Sequence, residues 1–276
     1  AIPHFIEIDK NNLNVDVEKL DNYLKRITYQ KNNLYYNKKT KKKIRYFLSV
    51  CINGLSANLI ELQKILKKYN IKLIEDAAEG LGCFYNKKHL GLFGEGGVFS
   101  FNGNKIISTG GGGALYLKSK NLFKLSTKYA MNCKIKKGFE TEYFDTGYNY
   151  RMPSINASLG ISQLSKIEKF IKNKQKIYKI YNEIFNEFDE FEILKPIKNL
   201  RSNYWLTNLR INKFNKIKRN SLIKNFWDKK IFIRQIWKPI HMMNNFKHFP
   251  KMKLEVTEKT YYSTFSLPSS EFLINQ

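Results

Sequence analysis

The chain has 276 residues, 42% hydrophobic and 14% aromatic, so it can bury a sizeable core in one or two domains and is not a disordered chain. Lysine and arginine outnumber aspartate and glutamate by 49 to 23, which gives a net charge of +26. The lysines are spread among asparagine and isoleucine, as on solvated faces, and no zinc-finger, basic-zipper or RNA-recognition signature accompanies them, which argues against a nucleic-acid partner.

Strand-like and helical stretches alternate through the first half of the chain. The pattern predicts strands at PHFIEID, 43–50 and 71–76, helices at 14–24 and 58–70, and two further short strands at GGVFSF and GALYLK. Such alternation predicts an α/β fold whose largely parallel sheet has helices on both faces. Ligands of such folds gather at the carboxyl ends of the strands.

The pattern changes after residue 152. Apolar residues at three-and-four spacing, from Leu159 and Leu164 to Phe185, predict one long helix over 156–186 with a single buried face. Beyond it, two strand-like pieces enclose a helical stretch, which is typical of a smaller α+β domain. We therefore expect a large domain over 1–152, and a connecting helix with a small C-terminal domain over 153–276.

Lys105 stands between an apolar strand and four consecutive glycines, in VFSFNGNKIISTGGGGALYL. A lysine that attacks a carbonyl must be neutral part of the time, and a partly desolvated site provides this. Asp76, at the end of a buried strand, suits a cationic ring nitrogen as in a pyridoxal phosphate site. Ser100, Asn102 and the glycine turn offer hydroxyl and backbone donors to a phosphate.

Each of these features has a plainer interpretation. A lysine before glycines is most often part of a surface turn, and an aspartate at a strand end is more often a helix cap. Spacing alone leaves both interpretations open.

Two long blocks carry a resemblance to a known family. IEDAAEGLGCFYNKKHLGLFGEGGVFSFNGNKIISTGGGGAL, followed by DTGYNYRMPSINASLGISQLSKIEKFI, resembles the DegT/StrS family of sugar aminotransferases, which depend on pyridoxal phosphate and have the type I aminotransferase fold. SNYWL (202–206), IRQIWKPIHMM (233–243) and LPSS (267–270) look like the branch that aminates nucleotide-linked 4-keto-6-deoxy-N-acetylhexosamines for bacillosamine or legionaminic acid synthesis. The resemblance covers essentially the whole chain.

The resemblance implies a role for each matching residue. Lys105 would form the Schiff base with the cofactor and shuttle a proton to the sugar C4, and Asp76 would pair with the pyridine nitrogen. Three further matches complete the set: Ser100 at the cofactor phosphate, Asn149 at the phosphate of a neighbouring subunit, and Arg151 close by. Apart from these matches, Glu79 could contact the ring hydroxyl of the cofactor, but a strand-to-helix carboxylate is as often a first-turn helix charge. His241 falls in the block that resembles the sugar-nucleotide region. The implied enzyme is a cytoplasmic homodimer that transfers an amino group from glutamate.

The sequence also departs from the family. Members carry a portion upstream of the strand matching PHFIEID, with a Gly-Thr turn at a helix N-terminus that cradles the phosphate, and the present sequence has no counterpart. Cys51, Asn53 and Ser56 stand where the family tends to have His, an aromatic residue and Pro; Cys51 is expected to be a small apolar filler. A non-catalytic member, retained as a cofactor-binding or dimerising scaffold, is therefore the alternative.

Cysteine and histidine usage supports neither a disulfide framework nor a metal site. The three cysteines lack C-x-x-C spacing, which favours a reducing cytoplasm. The four histidines show no metal-ligand spacing. No apolar run approaches the roughly 20 residues of a membrane span, and no signal peptide is evident, so no membrane association is expected.

Overall fold

The computed structural model describes residues 1–213 and 215–274. The helices in chain order are α1 (Val17–Ile27), α2 (Leu59–Lys68), α3 (Lys120–Ala130), α4 (Ser154–Leu164), α5 (Ile167–Phe185), α6 (Lys216–Asp228) and α7 (Glu255–Ser263). Short 3₁₀ turns lie at Ile240–Met242, Asn244–Phe246 and Glu271–Ile274. The strands are β1 (Thr28–Lys31), β2 (Leu34–Asn37), β3 (Tyr46–Val50), β4 (Lys72–Asp76), β5 (Phe84–Tyr85), β6 (Lys88–His89), β7 (Gly96–Ser100), β8 (Gly113–Leu117), β9 (Lys134–Lys137), β10 (Glu140–Tyr143), β11 (Phe191–Ile193), β12 (Leu200–Arg201), β13 (Thr207–Ile211), β14 (Arg234–Gln235) and β15 (Thr264–Leu267).

A four-stranded sheet of order β3-β4-β7-β8 organises the first half of the chain. β3, β4 and β7 are parallel, and β8 returns antiparallel to β7. The alternation β3, α2, β4 confirms the predicted α/β class. Because the parallel strands end at the same edge, the segments that follow β4 and β7 meet there.

One face of this sheet packs on the main core. Leu73 of β4 lies in a cluster with apolar side chains of both flanking helices, including Leu20 of α1 and Leu62 of α2. Asp16 and Asn58 cap the two helices, since each side chain accepts a hydrogen bond from a first-turn N–H.

The other face of the sheet is open in the described residues, so the helix layer expected on that face is not found among them. Leu48, Val98 and Leu115 lie on it, 61%, 39% and 49% exposed. The register places Val98 beside Asp76, and Ser100 follows two residues later on the same face. Two candidate site residues therefore share an open apolar face.

The C-terminal part contains a second sheet, antiparallel, of order β11-β13-β15-β14. Leu209 and Phe265 are fully buried at its centre, and side chains of α5 pack against this cluster. Within the described residues, no helix combines the length and apolar character needed to cross a membrane.

The first predicted strand is wrong. Residues 3–9 make only isolated bridges, Phe5 with Lys251 and Ile8 with Val15. The segment instead runs to α7, where the buried Glu7 carboxylate accepts hydrogen bonds from Val256 N and Thr257 N, both at 2.9 Å. A carboxylate at a helix N-terminus is favoured by the helix dipole, and a sequence pattern does not reveal such a distant partner.

The predicted long helix is two helices, α4 and α5, which are separated at Ser165 and Lys166. Ile171 and Ile177 of α5 are buried, whereas Leu159 and Leu164 of α4 are exposed. The expectation of one continuous buried face is therefore wrong for the first ten residues. Helix α3, α7 and the hairpins β1–β2 and β9–β10 were not predicted.

Candidate functional site

The loop that carries Lys105 connects β7 to β8. Backbone hydrogen bonds from Phe101 N to Gly112 O (3.0 Å) and from Thr109 N to Phe101 O (2.9 Å) close its base. Ile106 and Ile107 are buried against Ile171 of α5. The two isoleucines therefore anchor the loop directly beside the lysine.

The glycine run is required by the backbone of this loop. Gly110 and Gly112 have φ of +76° and +96°, a left-handed region that favours glycine. At Gly113, an added Cβ would lie 2.3 Å from the carbonyl oxygen of Phe99 on the neighbouring strand. Gly110, Gly112 and Gly113 thus let β8 begin immediately after a tight turn.

The Lys105 amine points inward rather than into solvent. Its side chain is 12% exposed, and Nζ lies 3.2 Å from Oε1 of Glu79. The same nitrogen lies 4.4 Å from the centroid of the Trp205 ring. The interpretation of Lys105 as an ordinary surface-turn lysine is therefore wrong.

Glu79 lies in the turn after β4, and no helix begins there, so the alternative of a first-turn helix charge is wrong. Its Oε2 accepts a hydrogen bond from Asn53 N at 2.8 Å. Burial raises the pKa of the Glu79 carboxyl, while the Asn53 N–H and the Lys105 ammonium oppose that shift and Asp76 adds to it. Lys105 and Asp76 thus both lie close enough to act on the Glu79 charge.

Asp76 ends β4 and accepts a hydrogen bond from Ala78 N at 3.1 Å. Ser100 Oγ accepts one from Asn102 N at 3.3 Å, and the Asn102 carbonyl accepts one from Lys105 N at 3.0 Å. The Ser100–Asn102 segment therefore leads directly into the lysine turn. The register of β4 and β7 and the Lys105–Glu79 pair place these residues at the same edge of the sheet, and their joint role at one cofactor stays a prediction.

The remaining candidates lie elsewhere. Asn149 and Arg151 are exposed, in the segment between β10 and α4. His241 is buried, and its Nε2 lies 3.0 Å from Oε1 of Glu258. The histidine lines a cavity of about 510 Å³, together with Lys238, Met242, Lys247, Lys251, Glu258, Tyr261 and Tyr262. None of the residues around Lys105 lines that cavity.

Cys51 is buried at the end of β3, beside the turn that holds Glu79. Its contact with Cys83 and its burial raise the pKa of the Cys51 thiol well above the ordinary value. A neutral buried thiol behaves as a small apolar group, which agrees with the expectation of a filler. Among the described residues, no cluster of three or more His, Cys, Asp or Glu side chains could hold a metal ion.

Sequence reasoning missed the polar side chains that join the C-terminal part to this site. Asn203 is fully buried and donates to the carbonyls of Glu79 and Leu81, both at 2.9 Å. Asn53 Nδ2 donates to Asn208 Oδ1 at 2.6 Å. The available signal was SNYWL, where an asparagine next to apolar aromatic residues requires buried partners.

Helices pack against one face of a mostly parallel sheet, and an inward-pointing lysine follows β7. This arrangement is that of an α/β protein of the type I aminotransferase class. The solved structure of Helicobacter pylori PseC, an aminotransferase involved in the biosynthesis of pseudoaminic acid, superposes with a TM-score of 0.86 at 24% identity, covering 98% of this chain and 68% of that one. That likeness concerns the fold.

The DegT/DnrJ/EryC1/StrS aminotransferase family model matches residues 1–275, and the chain belongs to this family. It is 31% identical over 194 residues to the putative pyridoxal phosphate-dependent aminotransferase EpsN of Bacillus subtilis, covering 70% of this chain and 49% of that protein. It is 30% identical over 225 residues to the Helicobacter pylori UDP-4-amino-4,6-dideoxy-N-acetyl-beta-L-altrosamine transaminase, covering 80% and 60%. The chain thus spans about half to three fifths of the length of these two relatives.

Aminotransferases of this family use pyridoxal phosphate. The residues of this chain fit that cofactor on their donor chemistry. A sheltered primary amine, a carboxylate at a strand end and a hydroxyl on the following strand lie along one edge of the sheet, on Lys105, Asp76 and Ser100.

Proposed function

We propose that this chain contains the cofactor-binding site of an aminotransferase that acts on a nucleotide-linked sugar. In its specific form, the reaction transfers an amino group, with glutamate as donor, to C4 of a 4-keto-6-deoxy-N-acetylhexosamine used in glycan or polysaccharide synthesis. The inward placement of Lys105 against Glu79 carries the proposal, because a surface turn would not shelter an amine in this way.

Pyridoxal phosphate, when bound, supplies an aldehyde for the amino group and a ring that takes up negative charge. In this chain, Lys105 would bind the cofactor covalently and, once released, move a proton between the cofactor carbon and the sugar C4. Asp76 would hold a proton on the ring nitrogen. Ser100 and Asn102 would bind the phosphate, and Glu79 would contact the ring hydroxyl.

His241 is our candidate for substrate contact. Three lysines surround its cavity, Lys238, Lys247 and Lys251. Their charge is suited to a nucleotide diphosphate, because an ammonium binds phosphate as a point charge. Glu258 holds the imidazole through Nε2 and so orients the ring within the cavity.

We further propose that the active unit is a homodimer in which Asn149 and Arg151 serve the site of the second copy. The segment around them is rich in exposed apolar side chains, as expected of a covered surface. Those exposed by more than half include Phe139, Tyr143, Tyr148, Tyr150, Ile155 and Ile161.

The primary experiment titrates the purified protein with pyridoxal phosphate and follows its visible absorbance, then reduces the complex with borohydride and maps the modified peptide by mass spectrometry. We expect the label on FNGNKIISTGG, and Lys105→Ala to lose it. Lys118→Ala is the matched control, since that lysine is 66% exposed. Labelling of other lysines that spares Lys105 would refute the proposed site.

Two further assays separate catalysis from a scaffold role. Glutamate should discharge the visible absorbance, and a nucleotide-linked 4-keto sugar should restore it. Cofactor labelling at Lys105 without either response would identify a non-catalytic member.

For the dimer, equal amounts of Lys105→Ala and Arg151→Ala, each inactive alone, should regain up to about a quarter of wild-type activity after subunit exchange. Activity in a sedimenting monomer would contradict the shared site.

A further inference from the structure

Trp205 is the buried aromatic neighbour of the candidate catalytic amine. It is 4% exposed, and the Lys105 ammonium lies 4.4 Å from the centroid of its ring. That distance is within the range in which the electron-rich face of an indole attracts a cation. The opposing contact is the Glu79 carboxylate, 3.2 Å from the same nitrogen. The amine therefore lies between a carboxylate and an aromatic face.

The indole is fixed by hydrogen bonds on both its side chain and its backbone. Nε1–H donates to the carbonyl of Asn104 at 2.7 Å, directly before Lys105. The backbone N–H donates to Asn203 Oδ1 at 2.9 Å, and the carbonyl accepts from Lys174 Nζ at 3.2 Å. Such a ring cannot turn away from the lysine without breaking its bond to the lysine loop.

Asn203 joins the two partners of the amine. Its Nδ2 donates to the backbone carbonyl of Glu79, while its Oδ1 accepts from Trp205 N. One fully buried side chain thus connects the backbone of Glu79 to the backbone of Trp205. If the Glu79 carboxylate were removed, the sheltered Lys105 ammonium would keep only the aromatic face of Trp205 beside it, and a buried charge without its ionic partner is costly.

We propose that Trp205 is a positioning residue for Lys105: its indole face, together with Glu79, forms the place where the free, protonated amine rests. The attraction is between the ammonium and the indole face, so the contact is lost when the nitrogen leaves the ring. The reaction relevance of this resting place depends on the proposed function. The resting place itself is a property of the protein without cofactor.

Trace acylation of the cofactor-free protein tests the proposal, because acetic anhydride reacts only with the neutral amine. The Lys105 peptide is quantified by mass spectrometry from pH 7 to pH 10 in wild type, Trp205→Leu and Trp205→Phe. A cation–π contact of ordinary strength predicts that labelling at pH 8 rises roughly 2- to 30-fold in Trp205→Leu. Trp205→Phe keeps an aromatic face and should remain closer to wild type. Both variants lose the indole N–H, so loss of that hydrogen bond does not contribute to the difference between them, and only Trp205→Phe keeps an aromatic face.

A second readout leaves Trp205 unchanged. Trp227 and Trp237 are 52% and 61% exposed, so a Trp227→Phe, Trp237→Phe background reports Trp205 emission alone. One component of the pH profile of this emission should follow Lys105 labelling and disappear in Lys105→Met. A second component is expected from Lys174, whose Nζ donates to the Trp205 carbonyl, and Lys174→Met removes it.

Equal labelling in the leucine and phenylalanine variants, or an emission profile indifferent to Lys105→Met, would overturn the positioning role. Failure of the proposed function gives a different result: no borohydride adduct at Lys105, with the leucine–phenylalanine contrast intact.

Discussion

Lys174 is a sheltered lysine whose charge should cost stability at neutral pH. It lies on α5, where Nζ donates to the carbonyls of Trp205 at 3.2 Å and Ser269 at 2.7 Å. Burial lowers the pKa of Lys174 from its ordinary value of 10.5 to about 8, while Glu271 opposes the shift. At about 1.4 kcal/mol per pH unit, this difference corresponds to at most about 3.5 kcal/mol of folding free energy.

The pH at which this free energy appears follows from the two pKa values of Lys174. Below about pH 8, both the folded and the unfolded chain hold the proton, and the folded state carries the full cost of a sheltered charge. Between about pH 8 and 10.5, the folded state releases the proton before the unfolded chain does, so the free energy of unfolding rises with pH.

The assay compares Lys174→Met with wild type by urea unfolding at intervals from pH 7 to 10.5. The free energy of unfolding of wild type should rise relative to that of Lys174→Met by about 2–3 kcal/mol across this range. Other titrating groups cancel in the difference. Lys176→Met, at an exposed position on the same helix, is the control and should show no such trend. If the difference in the free energy of unfolding between wild type and Lys174→Met does not change with pH, the Lys174 charge is not sheltered as described.

Three further predictions concern the framework of the site, and urea unfolding measures each one. Glu75→Gln should lower the free energy of unfolding by about 2 kcal/mol. The buried carboxylate accepts three backbone N–H groups of the turn 91–94, and an amide replaces one of its acceptors by a donor. An unchanged unfolding midpoint would contradict this prediction. Gly97→Ala should cost about 1–3 kcal/mol or more, since its Cβ would lie 2.0 Å from Gly91 O, and a fully stable variant would show that the turn can move away. Asn203→Ala should lower the free energy of unfolding by about 2–4 kcal/mol, because it leaves two carbonyls and one N–H unpaired in the core. Asn212→Ala, at an exposed position, is the control. A smaller decrease in the free energy of unfolding for Asn203→Ala than for Asn212→Ala would count against that network.

Local pattern predicted the elements that a chain specifies through its own periodicity. The apolar spacing of α2 and the short apolar run of β4 were found to within two residues, because both bury one side against a single neighbouring layer. The glycines after Lys105 predicted a tight turn correctly, since left-handed φ values select for that residue.

Elements whose partners lie far away in the chain were missed or misplaced. The first segment is drawn to α7 by Glu7, nearly 250 residues distant, and so does not extend as a regular strand. The helix predicted over 156–186 is interrupted at Ser165 and Lys166. In α4, Asn156 Nδ2 donates to Thr109 O at 2.6 Å, whereas α5 packs Ile171 on the lysine loop and its later aromatic side chains on the C-terminal sheet. Periodicity cannot separate two apolar stretches that face different neighbours.

By itself the sequence determined which chemical groups are available: a lysine in a glycine turn, a strand-end aspartate and a carboxylate three residues later. The tertiary structure decided what surrounds them, since the Lys105 amine owes its shelter to Trp205, one hundred residues away. Asn203 and Lys174 hold the Trp205 backbone through hydrogen bonds to its N–H and its carbonyl. Side-chain chemistry is local to a residue, but burial and the pairing of charges depend on which distant segments pack together.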